Sequence, residues 1–423
     1  MSASRSHRRA RRPAVEALEG RIALSITAPL GVFADPSNRT AFGEPAVATS
    51  PLNGNYVVVS TAKNLDSGQT DIYAGLFDRN HNPIAAQITV ANSRMGESNP
   101  DVAMASDGSF VVTWRRGLAG GGTTVLGARF DAQGEKLRQF AVPNMPANES
   151  DGHVTVLDND QFVVTFTAIT GGSVARGITS SKVMGAIYRA GGSLKQLVTI
   201  ANGPGVNHQA DVSGRLTGTF DVAYASGSDT AHTKIMYARF GADGRPVAAA
   251  QVVDNAFAIN PSISTSLIEV GAIAYQRVGL DLAGNGLFRP AVRTLLPGGT
   301  LDKTYDLAQE IAPAHAISVS VPYFAVFPTF VVAADTSSPF GPRGSGYFNA
   351  YEYDAQGNKT LVASSFHDGS IGGFSGFPTD FDYAPAVSVA SDGSYVIAYR
   401  HDLDGSASSG GPSTLRVAVG ALS

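Results

Sequence analysis

Apolar residues along this chain fall in short runs broken by clusters of Gly, Asp, Ser and Pro, the punctuation of many short strands and tight turns. The run Phe110-Val-Val-Thr-Trp114 shows the pattern best. Strand side chains point alternately to opposite faces, so Phe110, Val112 and Trp114 share one face and Val111 and Thr113 the other. Both faces are largely apolar, and such a strand needs cover on each side. Trp114 is expected to be a packing residue, because Phe166, Tyr224, Tyr275 and Tyr399 take the same place in similar runs.

Those runs belong to a repeat. A short strand led by a proline-like position is followed by a turn and an aromatic-Val-Val strand: Pro45-Ala-Val-Ala with Asn55-Tyr-Val-Val-Val-Ser, then Pro100-Asp-Val-Ala with Ser109-Phe-Val-Val-Thr-Trp. Further copies start at Gly152, His208, Pro261, Pro313 and Pro385, so the spacing is nearly constant until a longer interval before the last. A third strand follows, such as Val125-Leu-Gly-Ala-Arg-Phe, then a turn such as Asp131-Ala-Gln-Gly134, then a fourth apolar segment such as Ala85-Ala-Gln-Ile-Thr-Val. Asp and Gly suit such turns through local hydrogen bonding and positive φ. Four strands in about fifty residues make one propeller blade. The chain is therefore expected to be all-β, a seven-bladed β-propeller of four-stranded blades over residues 22–423, with blades starting near 45, 100, 152, 208, 261, 313 and 385. The seventh copy has no fourth strand after Leu415–Gly420, whereas Ala23-Leu-Ser-Ile-Thr-Ala28 resembles an orphan fourth strand. A ring closed by this N-terminal strand would leave no exposed sheet edge at the seam.

Composition narrows the function. The 423 residues are 43% apolar and 16% charged, with 47 Gly, 22 Pro and no cysteine, which removes disulfides, thiolate metal sites and cysteine nucleophiles. No run of 18 apolar residues occurs, so a transmembrane helix is excluded. Residues 1–21 carry six arginines against Glu16 and Glu19, and the remaining chain carries 25 basic and 33 acidic residues. A mildly acidic body argues against nucleic acid, which needs a basic face to displace counterions. The basic residues 1–21 read instead as an export or sorting segment.

Two stretches carry a resemblance. Asn99-Pro-Asp-Val-Ala with Gly108-Ser-Phe-Val-Val-Thr-Trp, and Asp71-Ile-Tyr-Ala-Gly-Leu-Phe-Asp, resemble the "GGFVVTW…YGIYAQRFDAAG" repeats of large secreted bacterial proteins, often neighbours of RTX calcium-binding arrays. The resemblance spans residues 43–420 and implies a secreted propeller-like module. Arg11-Arg-Pro-Ala-Val-Glu-Ala-Leu-Glu-Gly-Arg-Ile-Ala-Leu-Ser25 is similar to the LEPR-XLL motif of exported planctomycete proteins, with Gly20 in place of its proline and Ala23 in place of one leucine. A secretory signal with residues 22–34 as its apolar region competes with that reading, and cleavage near Ala34 would discard the borrowed strand.

Candidate chemistry is sparse. Asp402-Leu-Asp404-Gly405 places two carboxylates two residues apart before a glycine, as calcium loops begin, but without the later acidic ligands. Asp402 and Asp404 are the candidate calcium ligands, and calcium is the one candidate cofactor. Asn64-Leu-Asp66-Ser-Gly68 sits at the same place in the first copy, and a polar loop is the simpler reading of both. The eight histidines are scattered, without His-Glu-x-x-His, and His208 stands where other copies have proline. No Gly-x-Ser-x-Gly elbow precedes a helix. Ser106-Asp-Gly and Ser391-Asp-Gly lack the Asp-box spacing to a tryptophan and read as hairpin turns. The long sixth copy carries a Gly/Ser/Phe-rich stretch with Phe366, Phe374, Phe377 and Phe381, a candidate ligand-contact loop. The expectation is a non-catalytic extracellular or cell-surface module for protein or glycan binding. A sialidase-class propeller glycosidase is the alternative, and it would need acids, arginines and tyrosines converging at one mouth of the channel.

Overall fold

Strands that are apolar on both faces find their cover by stacking radially. The computed structural model of the protein describes residues 30–33, 39–143, 148–157, 160–215, 217–280, 286–307, 316–337, 346–364, 381–402 and 413–422. These residues form 28 strands, β1 to β28, in seven four-stranded antiparallel sheets. The sheets are the blades of a seven-bladed β-propeller. The second blade consists of β6 (Glu97–Met104), β7 (Phe110–Gly117), β8 (Thr123–Phe130) and β9 (Lys136–Ala141), paired in that order from the axis outward. The other innermost strands are β2 (Thr40–Thr49), β10 (Glu149–Val156), β14 (Val206–Gly214), β18 (Ala258–Thr265), β22 (Ile317–Ser320) and β26 (Phe381–Val389). Among the described residues no helix is long and apolar enough to cross a membrane.

The alternation in β7 divides as its pattern requires. Phe110, Val112 and Trp114 pack with Val57, Val59, Ile72 and Val90 of the first blade. Val111 packs with Val154, Phe162 and Val164 of the third. Seven apolar clusters of this kind fill the gaps between neighbouring blades. Burying each Val, Leu or Phe contributes about 1.5–3 kcal/mol. One aromatic pair recurs where the second strand of a blade starts and the third ends: Tyr56 with Phe77, Phe110 with Phe130, Phe162 with Tyr188, Phe220 with Phe240 and Phe330 with Tyr353, with ring centroids 4.8–5.2 Å apart. Each pair adds about 0.5–1.5 kcal/mol beyond its area. The turns behave as their residues require: Asp131 Oδ1 accepts from the Gln133 and Glu135 amides, and Gly134, Gly108 and Gly393 adopt positive φ.

Three sequence expectations shift. The ring is closed by an N-terminal strand, but that strand is β1 (Leu30–Phe33), which pairs with β28 (Ser413–Ala421) outside β27 (Ser394–Asp402) and β26. Residues 23–28 lie outside the described residues, as does the basic segment 1–21. Phe33 explains the placement, because its ring enters the cluster between the seventh and first blades beside Phe42, Leu415 and Val417. In the fourth blade the proline-like position is Ala210, not His208: the strand bulges between His208 and Asp211 as β6 does between Ser98 and Asp101. In the sixth, Ile317 takes that place instead of Pro313, which lies outside the described residues.

Candidate functional site

The seven innermost strands surround an axial channel of about 600 Å³. Each of these strands has one edge paired within its blade and one edge facing the axis. Unpaired amides on such an edge cost free energy unless something accepts from them. In four blades the residue after the proline-like position points to the next blade and does so. Asp101 accepts from the Val154 amide at 2.7 Å, Asp211 from Ile263 at 2.8 Å, Ser262 from Val319 at 3.3 Å and Ser318 from Val387 at 3.1 Å. Two residues further on, Thr155 accepts from Gly214 at 2.7 Å, and Ser213, Ser264, Ser320 and Ser388 accept from Thr265, Val321, Val389 and Thr49, each at 3.0 Å. Two tiers of side chains thus stitch neighbouring blades around the axis, each bond contributing about 0.5–1.5 kcal/mol.

The first-tier stitching is missing in the first and seventh blades, which carry Ala46 and Ala386, and in the third, where the residue is His153. The Val212 amide, which would be its donor, bonds to its own Asp211 Oδ1 at 2.8 Å. His153 Nδ1 instead lies 3.6 Å from Asp101 Oδ2 and 3.6 Å from Asp211 Oδ1, so a single ring nitrogen stands between two carboxylates. The three side chains keep between about a fifth and a little over a third of their surface accessible, and that surface lies inside the axial channel between the innermost strands. Desolvation therefore dominates despite that exposure. Burial, reinforced by Asp211 and opposed by His153, pushes Asp101 up to about 6, and burial likewise raises Asp211. Burial lowers His153, but Asp101, Asp211 and Asp151 outweigh it and raise its pKa.

Nearer the strand starts, Asn99, Asp151, Gln209 and Asn260 hold left-handed φ of 51–53° in the bulges and line the same mouth. Asp151 Oδ2 accepts from the Ser150 and Thr167 hydroxyls at 3.0 and 3.2 Å, and Gln209 Nε2 donates to Asn260 Oδ1 at 2.6 Å. No lysine or arginine is among the described residues lining the channel. Tyr323 also lines the channel, but beyond the end of β22 and so toward the opposite end from Asp151, and among the described lining residues neither a tyrosine nor the arginines a sialidase-class site requires join the acids. Among the described residues no group of three His, Asp or Glu side chains is placed to hold a metal ion.

The residues singled out in the sequence fare differently. Asp404, Phe366, Phe374 and Phe377 lie outside the described residues. Phe381, at the start of β26, and Asp402, at the end of β27, are directly paired. In the first blade the equivalent loop is a closed turn: Asn64 Oδ1 accepts from the Asp66 and Ser67 amides, and Arg39 holds the Asp66 carboxylate at 2.9 Å. Trp114 is buried between blades. No local motif in the sequence singles out Asp101, His153 and Asp211. Their signal is a single repeat position that reads Ala46, Asp101, His153, Asp211, Ser262, Ser318 and Ala386 around the ring, chemically varied where the flanking positions are uniformly apolar.

No protein-family model matches the chain, and no curated protein sequence matches it. Solved structures do. A protein of unknown function from Dyadobacter fermentans is 11% identical, over 92% of this chain and 97% of that one, with a TM-score of 0.50. A PL25 ulvan lyase bound to a GlcA–Rha3S saccharide is 9% identical, over 92% and 95%, with a TM-score of 0.52. The β-propeller domain of the Trilobed protease from Pyrococcus furiosus is 10% identical, over 91% and 95%, with a TM-score of 0.46. At these identities the likeness concerns the fold alone.

Proposed function

We propose that this chain is a non-catalytic binding module of an exported protein, taking a neutral glycan at the mouth of its central channel. One observation carries the reading: the carboxylates of the channel are committed to the scaffold. Asp101 and Asp211 hold the amides of Val154 and Ile263, and Asp151 holds two hydroxyls. A nucleophile or general acid needs its oxygens free for substrate. Asn99, Gln209 and Asn260 line the mouth, and the donor and acceptor capacity that Gln209 and Asn260 do not spend on each other and on Gln276 is of the kind sugar hydroxyls pair with. With no lysine or arginine among the described lining residues, and Asp101, Asp151 and Asp211 against the single His153 imidazole, sulfated, sialylated or uronic glycans meet a mainly acidic wall. Export rests on the basic residues 1–21, the absence of cysteine and the two resemblances.

A glycan array with the purified protein, followed by a reducing-end assay on every hit, tests this. Binding to neutral glycans without bond cleavage is expected, and Gln209→Ala should weaken it about tenfold, one lost hydrogen-bonding group being worth about 1.4 kcal/mol. Release of reducing ends that Asp101→Asn or Asp211→Asn abolishes would overturn it in favour of the glycosidase reading, for which a pair of carboxylates flanking one histidine nitrogen is the supporting geometry. Selective capture of anionic glycans would overturn the charge argument.

A further inference from the structure

We propose that Asp101, His153 and Asp211 form a proton-dependent clamp that ties the second, third and fourth blades together at the axis and slackens as the solution turns from weakly acid to alkaline.

The geometry gives the clamp its place. His153 interrupts the ring of acceptors at the only described first-tier position with a titratable base, and its Nδ1 faces one carboxylate from each neighbouring blade at 3.6 Å. Asp101 comes from β6 and Asp211 from β14. Asp151 on its own strand adds a third negative charge, and His208 of β14, buried with Nε2 unbonded, faces Asp151. The strands across the channel bring no charge to this level, since β2, β18, β22 and β26 present Ala46, Ser262, Ser318 and Ala386. Among the described residues lining the channel, nothing but the imidazolium compensates the two carboxylates.

One imidazolium neutralises one carboxylate. In weakly acid solution the imidazolium offsets one of the two facing carboxylates and the other is protonated, and a neutral carboxyl still accepts its backbone amide through the carbonyl oxygen. As pH rises the second carboxyl ionises and then His153 loses its proton, leaving two carboxylates facing each other where the surrounding strands weaken their screening by water. The direction of the effect follows from proton binding. Asp101 moves from 3.8 up to about 6, Asp211 moves up, and His153 moves up from 6.5. All three hold protons more tightly folded than unfolded, so the stability they contribute falls as pH rises. The carboxyl part is complete below about pH 4 and lost through about 6. The histidine part is complete below about 6.5 and lost as pH passes its raised midpoint. The three protons belong to the cluster as a unit.

The experiment uses the ligand-free chain and is independent of what the channel binds. Imidazole NMR signals are followed from pH 4.5 to 9, with His153 assigned by its absence in His153→Gln, and thermal melts of both proteins are recorded over the same range. The expected His153 midpoint lies above 6.5 and falls when Asp101→Asn removes one partner. The melting temperature of the unsubstituted chain should exceed that of His153→Gln by about 2 °C at pH 5.5 and match it by pH 9. A midpoint at or below 6.5, or a melting difference that does not change with pH, overturns the clamp. If His153→Gln does not fold, His153 is the imidazole whose midpoint above 6.5 falls in Asp101→Asn, and the absence of any such imidazole overturns the clamp.

Discussion

Replacing Phe33 by alanine should unfasten the seam of the ring while leaving the other blade interfaces intact. Phe33 is 7% exposed and stacks on Phe42 with ring centroids 5.9 Å apart. A buried aromatic ring removes at least about 150 Å² from water, which at about 25 cal/mol per Å² is close to 4 kcal/mol. Measured Phe→Ala losses of about 3–5 kcal/mol agree. The strand that Phe33 anchors is short, with its register set by Leu30 against Val417, Gly31 against Arg416 and Phe33 against Leu415. Three residue pairs cannot hold β1 once its anchor is lost, so the free energy appears as local opening of the β28 edge. Hydrogen exchange reads this directly. The β1-facing amides of Leu415–Val417 should exchange two to three orders of magnitude faster, because each 1.4 kcal/mol is about tenfold. Amides of β7 and β8 should not change, and Leu52→Ala, at an exposed site, should change neither set. An increase below tenfold at β28, or an equal increase in all blades, would refute the argument that closure is local and rests on this ring.

Two further outcomes follow from the blade interfaces. Asp221 is fully buried and accepts from Arg215, from the Tyr237 hydroxyl at 2.7 Å and from Arg239 Nε at 3.0 Å, while Glu269 offers the two arginines a second, more exposed carboxylate. Asp221→Asn should cost about 3–5 kcal/mol in urea unfolding by leaving two buried guanidinium groups short of charge, and a loss under about 1 kcal/mol would show that Glu269 suffices. Trp114 Nε1 has no hydrogen-bond partner, and Phe166 fills the equivalent place one blade on, so Trp114→Phe should cost no more than about 1.5 kcal/mol against about 3–5 kcal/mol for Trp114→Ala, measured by thermal melting.

The parts of this fold written in the sequence are those whose physics is local and repeated. Alternation in Phe110–Trp114 says that both faces of a strand are covered, and seven copies at a near-constant period say how many blades share that need. Where copies diverge, the sequence misleads by a few residues. Proline marks the inner strand in four copies, but Ala210 and Ile317 do the same work without a proline, and only the bulge and the inter-blade hydrogen bonds reveal them. The closing strand shows the same limit. Ala23–Ala28 and Leu30–Phe33 are both short apolar segments, and what selects the second is a pocket between Phe42, Leu415 and Val417, formed by residues from opposite ends of the chain.

The candidate site shows the division most sharply. Asp101, His153 and Asp211 each stand one repeat from the next, with nothing in their immediate neighbourhoods to mark them as partners. A ring converts one position of every repeat into a single circle around an axis. Residues that share only their place in the repeat become neighbours at 3.6 Å, in a channel where charges are poorly solvated. Sequence alone determined the blades and the need to stack them. Closure into a ring decided the seam, the side-chain stitching around the axis and the meeting of two acids with one histidine, because convergence on an axis is a property of the whole circle and of no single blade.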